Sequence, residues 1–334
     1  MTRPLVAVLG SGGWGTALAA HLARIGHDVR LWGRDAQLIT ELARTRVNQV
    51  YLPGIELPPG VTPVVDLTRA VHGASVVVNA VPSHGMRAVA RAMAAGLAPG
   101  ATLVSATKGI EMDSLDRMSE VLTQECGAGH PVVVLSGPSF AVELAQCLPT
   151  AIVAASRDDA AVRRVLDEFR SGYFRLYSSE DVVGVEIGGA LKNVIAIAAG
   201  AAEGLGLGFN AKAGLMTRGL AEIARLADAA GGRRETLAGL AGLGDLVLTC
   251  TGSLSRNRQF GIELGRGRTA VEILAGMKAV AEGVRTASAA LQLGARHGLE
   301  LPITERVVAV IEGRTTPREA VTELMDRPQR LEVE

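Results

Sequence analysis

Six residues near the start of the chain, Gly10-Ser11-Gly12-Gly13-Trp14-Gly15, constrain its fold more than any others. They spell G-x-G-x-x-G between an apolar, β-prone run at residues 4–9 and a helix-prone run at residues 16–23. Strand, glycine turn and helix in that order predict a dinucleotide-binding βαβ unit. Gly10 allows the tight turn, Gly12 lets the backbone approach a pyrophosphate, and Gly15 lets the helix lie against the strand. The helix N-terminus then offers free N–H groups and partial positive charge to the phosphates. A second apolar strand, residues 28–32, follows where such a unit needs it.

The rest of the chain extends this beginning. At 334 residues, 48% of them hydrophobic, it is long enough for two well-buried cores. Apolar, strand-like runs recur at residues 75–81, 101–105, 132–135, 151–155 and 174–177, with helical stretches expected at 35–46, 84–97, 115–126 and 158–169. A Pro- and Gly-rich segment, 52–63, breaks the pattern. After residue 178 the strand signals stop, and helices are expected at 182–202, 216–230, 256–264, 270–277, 283–297, 304–312 and 317–324. The expected architecture is an α/β Rossmann-like dinucleotide-binding domain over residues 1–178, followed by an all-α C-terminal domain over 179–334 that binds substrate.

Charge and cysteine content narrow the function. The 34 basic and 34 acidic residues cancel, so no global field draws the chain to nucleic acid or to an anionic membrane. Cys126, Cys147 and Cys250 are scattered and form no metal-ligand pair, as expected of free thiols in a reducing cytoplasm. No metal-ligand cluster is found. The longest apolar runs, such as 194–202, fall short of the roughly 20 residues that span a bilayer.

Only four of the 34 basic residues are lysines, namely Lys108, Lys192, Lys212 and Lys278. Where arginine serves for surface charge, a retained lysine marks a place that needs a compact, titratable ammonium. Lys192 lies in Gly188-Gly189-Ala190-Leu191-Lys192-Asn193, among residues that are apolar or tiny. Burial there would lower its pKa toward neutrality, as a general acid/base requires; a lysine snorkelling to water is the alternative. Lys108 follows a strand at the ligand-binding edge, where it reads as a phosphate or substrate contact or as a solvated loop residue. Gly137 and Ser139, in the next such loop, suit an anion through an N–H and a hydroxyl. Asp245 sits alone in a glycine-spaced apolar run, where it reads as a helix N-cap and as the partner that orients Lys192, two compatible roles. Ser255-Arg256-Asn257-Arg258 gathers hydroxyl, amide and guanidinium groups at a helix start, which suits a phosphate. At the end of the second strand, Arg34 suits the 2′-phosphate of NADP(H), whereas Asp35 suits a ribose hydroxyl or a helix cap.

Taken in order, these segments resemble the bacterial NAD(P)-dependent glycerol-3-phosphate dehydrogenases across essentially the whole chain. The motifs are Gly10 to Ala17, Ala106-Thr107-Lys108-Gly109, Ser136-Gly137-Pro138-Ser139-Phe140-Ala141, Gly189 to Ala196, Ala241-Gly242-Leu243-Gly244-Asp245-Leu246 and Ser255-Arg256-Asn257-Arg258. Trp14 stands where that family commonly places an aromatic. The resemblance implies reversible reduction of dihydroxyacetone phosphate to sn-glycerol 3-phosphate with NADP(H) or NAD(H), for phospholipid synthesis. It implies catalysis by Lys192 with Asp245, and substrate contacts from Lys108, Gly137, Ser139, Lys192, Asp245, Ser255, Arg256 and Asn257. Cofactor contacts would come from Gly10, Gly12, Gly13, Trp14, Gly15, Arg34, Lys108, Ala141, Arg256, Val280 and Glu282, the last two on the resemblance alone. A homodimer is a further expectation. Two rivals differ in class: a 3-hydroxyacid or 6-phosphogluconate type dehydrogenase, and a nucleotide sensor without catalysis.

Overall fold

The computed structural model describes residues 4–277, 281–329, 331 and 332. The apolar runs of the first half form one eight-stranded sheet: β1 (Val6–Leu9), β2 (Val29–Trp32), β3 (Val61–Val64), β4 (Val76–Asn79), β5 (Thr102–Ser105), β6 (Val132–Ser136), β7 (Thr150–Ala155) and β8 (Phe174–Ser179). Their order is β3-β2-β1-β4-β5-β6-β7-β8. Strands β3 to β6 are parallel to one another, whereas β7 runs antiparallel to β6 and β8 parallel to β7. Every residue of β1, β4 and β5 is buried, as expected of parallel strands covered on both faces. The cover comes from α1 (Gly13–Arg24), α2 (Ala36–Thr45), α3 (Leu67–Val71), α4 (Met86–Ala94), α5 (Met118–Cys126), α6 (Ala141–Ala145) and α7 (Asp159–Phe169). Strand order reverses between β1 and β4, so the loops after these two strands diverge and leave a crevice at the carboxyl edge.

The second half is helical: α8 (Val182–Gly204), α9 (Gly208–Ala229), α10 (Arg234–Leu237), α11 (Asp245–Thr251), α12 (Arg256–Gly265), α13 (Ala270–Gly276), α14 (Glu282–Arg296), α15 (Pro302–Ile311) and α16 (Pro317–Met325). Helix α8 is the axis around which the others pack. It is apolar on nearly every side, and a helix of that kind belongs in a core or a bilayer. By length and composition it could cross a membrane, which counting uninterrupted apolar runs had not shown. Within its most apolar stretch 89% of the residues are buried inside the protein, so it is a core helix.

Helices α8 and α12 meet backbone to backbone. A Cβ added at Gly261 would lie 2.0 Å from the Ile197 carbonyl oxygen, and one at Gly200 would lie 2.1 Å from that of Arg258. Gly204 and Gly265, one turn further along each helix, repeat the contact. This close crossing sets where the N-terminus of α12 emerges beside the sheet edge.

Three local features depart from the sequence pattern. The segment expected only to break the alternation runs into β3, whose Pro63 pairs with Leu31. A proline is tolerated there because β3 is an edge strand, with one side free of hydrogen-bonded neighbours. Helix α9 begins at Gly208, two turns before the expected residue 216, because Gly208 and Gly214 mask its periodicity. Helix α5 begins at Met118 rather than 115, since Leu115 has a φ of 64° and cannot belong to it.

Candidate active site

The glycine turn after β1 is a cradle built by close approach. Gly10 has a φ of 119°, and a Cβ there would lie 2.6 Å from the Ala80 carbonyl oxygen at the end of β4. At Gly15 it would lie 1.9 Å from the Gly10 carbonyl oxygen, so α1 can sit this near the turn only with glycine. Gly12, the N-cap of α1, has nothing within 4 Å of the same point and leaves room above the turn. Gly13 lies beneath the Tyr51 carbonyl and beside Ala141. No side chain caps α1, so its first N–H groups stay available. Trp14 is half-buried against the core beneath. These residues fit the pyrophosphate of a dinucleotide. At the end of β2, the Asp35 carboxylate is spent on α2, accepting from the N–H groups of Gln37 and Leu38 at 3.0 Å. Arg34 beside it is exposed and has no protein partner among the described residues.

Two of the expected residues, Lys192 and Lys108, converge on a third, the buried carboxylate of Asp245. Lys192, on α8, is 7% exposed. Its Nζ donates to Asp245 and to Thr249 Oγ1, the latter at 2.8 Å. The other oxygen of Asp245 accepts from Lys108 Nζ at 2.5 Å, and Lys108 also donates to the Gly137 carbonyl at 3.1 Å. Burial lowers the Lys192 pKa from 10.5 to about 7; Asp245 opposes that shift and the neighbouring Lys108 adds to it. Lys108 is thus not a free loop lysine, and Lys192 does not snorkel to solvent. Asp245 is not an N-cap: Gly244 holds that position on α11 and the carboxylate turns to the two lysines. A π turn, Leu240–Gly244, precedes it and packs its Ala241 carbonyl against Gly188 of α8. Irregular turns of this kind re-aim the residue that follows them.

A second cluster surrounds the start of α12. Ser255 caps that helix, accepting from the Arg258 N–H at 3.2 Å. Arg256, its first residue, remains accessible, with Glu282 and Tyr51 within electrostatic reach. Glu282 heads α14 and accepts from Ser83 Oγ at 2.7 Å, a bond between the two halves of the molecule. Ser139 Oγ donates to the Gly137 carbonyl at 2.9 Å. Asn257 is buried in a ladder, donating to Asn193 Oδ1 and accepting from the Gly283 N–H, both at 3.0 Å. Arg258 turns away from this cluster to pair with Glu203, which Lys212 also meets. Val280 and Lys278 lie outside the described residues.

Sequence reasoning gave no role to Thr249 or Tyr51; of Ser83 it says only that the Pro82-Ser83-His84 loop follows a strand at the ligand-binding edge. Thr249 stands four residues after Asp245, one helical turn away, so its spacing was a usable signal. Tyr51 comes from a loop whose approach to the site has no local signature, and the pairing of Ser83 with Glu282 has none either.

Comparison with known proteins agrees over both halves. Residues 5–162 match the family described as NAD-dependent glycerol-3-phosphate dehydrogenase N-terminus, and residues 181–322 match its C-terminus. A glycerol-3-phosphate dehydrogenase (NAD(P)+) of Thioalkalivibrio sulfidiphilus is 52% identical over 269 residues, covering 80% of this chain and 81% of the relative. That of Geobacter metallireducens is 53% identical over 274 residues, with the same coverage of 80% and 81%. The crystal structure of glycerol-3-phosphate dehydrogenase from Coxiella burnetii superposes with a TM-score of 0.95 at 39% identity, covering 98% of this chain and 100% of that one.

Proposed function

The chain belongs to the NAD(P)-dependent glycerol-3-phosphate dehydrogenase family, and we propose that Lys192 is the group that moves the proton when dihydroxyacetone phosphate and sn-glycerol 3-phosphate interconvert. The observation that carries this reading is the buried Lys192 ammonium, held by Asp245 and Thr249 with Lys108 alongside. A bound nicotinamide dinucleotide supplies or accepts the hydride. As negative charge grows on the ketone oxygen, the Lys192 ammonium stabilises it and gives up its proton; in the reverse direction the neutral amine takes that proton back. Asp245 holds the Nζ in place. Lys108 keeps a second positive charge at the same carboxylate, which helps bring the Lys192 pKa near neutrality.

Arg256 and the N-terminus of α12, capped by Ser255, suit the phosphate remote from the reacting carbon. Binding energy spent there orients the carbonyl. Gly137, Ser139 and Asn257 complete the substrate side. Gly10, Gly12, Gly13, Trp14, Gly15 and Ala141 would hold the pyrophosphate, Arg34 the adenosine ribose, and Lys108, Arg256 and Glu282 the remainder of the cofactor. In this reading residues 1–178 bind cofactor and residues 179–334 bring substrate. The reaction would supply the glycerol backbone of phospholipids in the cytoplasm, with the enzyme as a homodimer.

The test is consumption of NADPH, then NADH, with dihydroxyacetone phosphate, unphosphorylated dihydroxyacetone and a 3-keto carboxylate in parallel. Phosphate-dependent turnover of the three-carbon ketone is expected. Turnover of the keto acid alone would overturn the assignment.

A further inference from the structure

We propose that Arg34 and Arg285 close on the 2′-phosphate of NADP(H) from opposite halves of the molecule, with His84 beside them, so that the helical half takes part in choosing between the two cofactors. The inference rests on the assignment of the crevice to a dinucleotide. Arg34 follows β2 at the carboxyl edge, where folds of this type bind the adenosine ribose. Arg285 lies on α14 three residues after Glu282, hence one turn along the same face. The 2.7 Å bond from Ser83 to Glu282 pins that end of α14 over the turn Ser83–Gly85, which contains His84. Burial, and then Arg285 and Arg34, lower the His84 pKa, with Glu282 opposing, so the three basic groups share one neighbourhood.

What sets this neighbourhood apart is that its two arginines form no ion pair among the described residues. Arg87, Arg117 and Arg258 each meet at least one carboxylate. Arg34 and Arg285 are exposed and have no protein partner among the described residues. Asp35 caps the N-terminus of α2 and Glu282 accepts from Ser83, and neither forms an ion pair with these two arginines. Guanidinium groups brought together repel one another. A phosphate ester between two guanidinium groups removes that repulsion and takes charge-assisted, bidentate hydrogen bonds from each. NADH lacks that phosphate, so it would gain from neither arginine.

Fragment binding isolates the effect. Calorimetry on the full chain compares adenosine 2′,5′-bisphosphate with adenosine 5′-monophosphate. Wild type is expected to prefer the bisphosphate by about tenfold or more, the worth of one hydrogen bond to a charged group. Arg285→Ala and Arg34→Ala should each reduce that preference about tenfold. Equal affinities in wild type, or an unchanged preference in Arg285→Ala, would overturn the clamp. Wild-type consumption of NADH with dihydroxyacetone phosphate separates the two levels. Turnover intact with the preference absent removes the clamp alone, whereas turnover absent with both cofactors removes the dehydrogenase reading on which it rests.

Discussion

Lys192 shows how much of a proposed mechanism can rest on one buried residue. An ammonium among apolar neighbours is expensive unless paired, and here a single carboxylate serves two lysines. Replacing Lys192 with Ala should lower turnover by about two to four orders of magnitude, the range of general acid–base catalysis, while calorimetry still detects NADPH binding. The pKa near 7 fixes the direction of the pH dependence. Ketone reduction needs the protonated amine, so kcat for reduction should fall as pH rises through about 7, and alcohol oxidation should gain over the same interval. A pH–rate profile in each direction checks the sign. Arg256→Ala should raise KM for dihydroxyacetone phosphate far more than for unphosphorylated dihydroxyacetone, and steady-state kinetics with both ketones would expose an equal effect. Lys192 was legible in the sequence because glycine and alanine surround it. That Asp245 serves the lysines and leaves the cap to Gly244 was not, because Asp245 and Lys192 are far apart in sequence and meet only through helix packing.

At the scale of elements, the crossing of α8 and α12 matters most. Its four glycines stand at i, i+4 spacing on both helices and let the backbones touch. Gly261→Ala would push a methyl to 2.0 Å from the Ile197 carbonyl oxygen, so the helices must part. We expect a loss of about 3 kcal/mol, at the upper end of overpacking costs, read from the urea midpoint. Because α12 begins with Ser255 and Arg256, weaker binding of the phosphorylated ketone should accompany it. Most helix positions followed from periodicity and glycine stops, although the short helices α3, α10 and α11 were not among the expected ones. Strand β3 did not, since Pro63 argues against a strand until its edge position is known. Nor did the full length of α9, whose first two turns are mostly exposed and carry little apolar period.

For the molecule as a whole, the site is an agreement between two halves. Glu186, on α8, reaches the start of α5 in the sheet half, accepting from the Ser119 N–H at 2.8 Å, the Ser119 hydroxyl at 2.6 Å and Arg117 at 2.5 Å. Burial raises its pKa, and Arg117 and Ser119 oppose that rise. This contact fixes α8 against the sheet six residues before Lys192. Glu186→Ala would leave Arg117 without its buried partner and cost about 3–5 kcal/mol, measured by chemical unfolding. Glu186→Gln, which still accepts from Ser119, should cost less; equal losses would show that shape rather than charge holds the halves.

Local order was enough for the nucleotide turn, the alternation of strand and helix, and the suspicion attached to Lys192, because each depends on neighbours within a few residues. Backbone sterics and short-range hydrophobic pattern act at that range. The pairing of Lys108 and Lys192 on Asp245, the commitment of Asp35 to a helix and the meeting of Ser83 with Glu282 were settled only by the packed structure. Those contacts join residues from distant parts of the chain, and which donor reaches which acceptor is decided when burial drives polar groups to find partners.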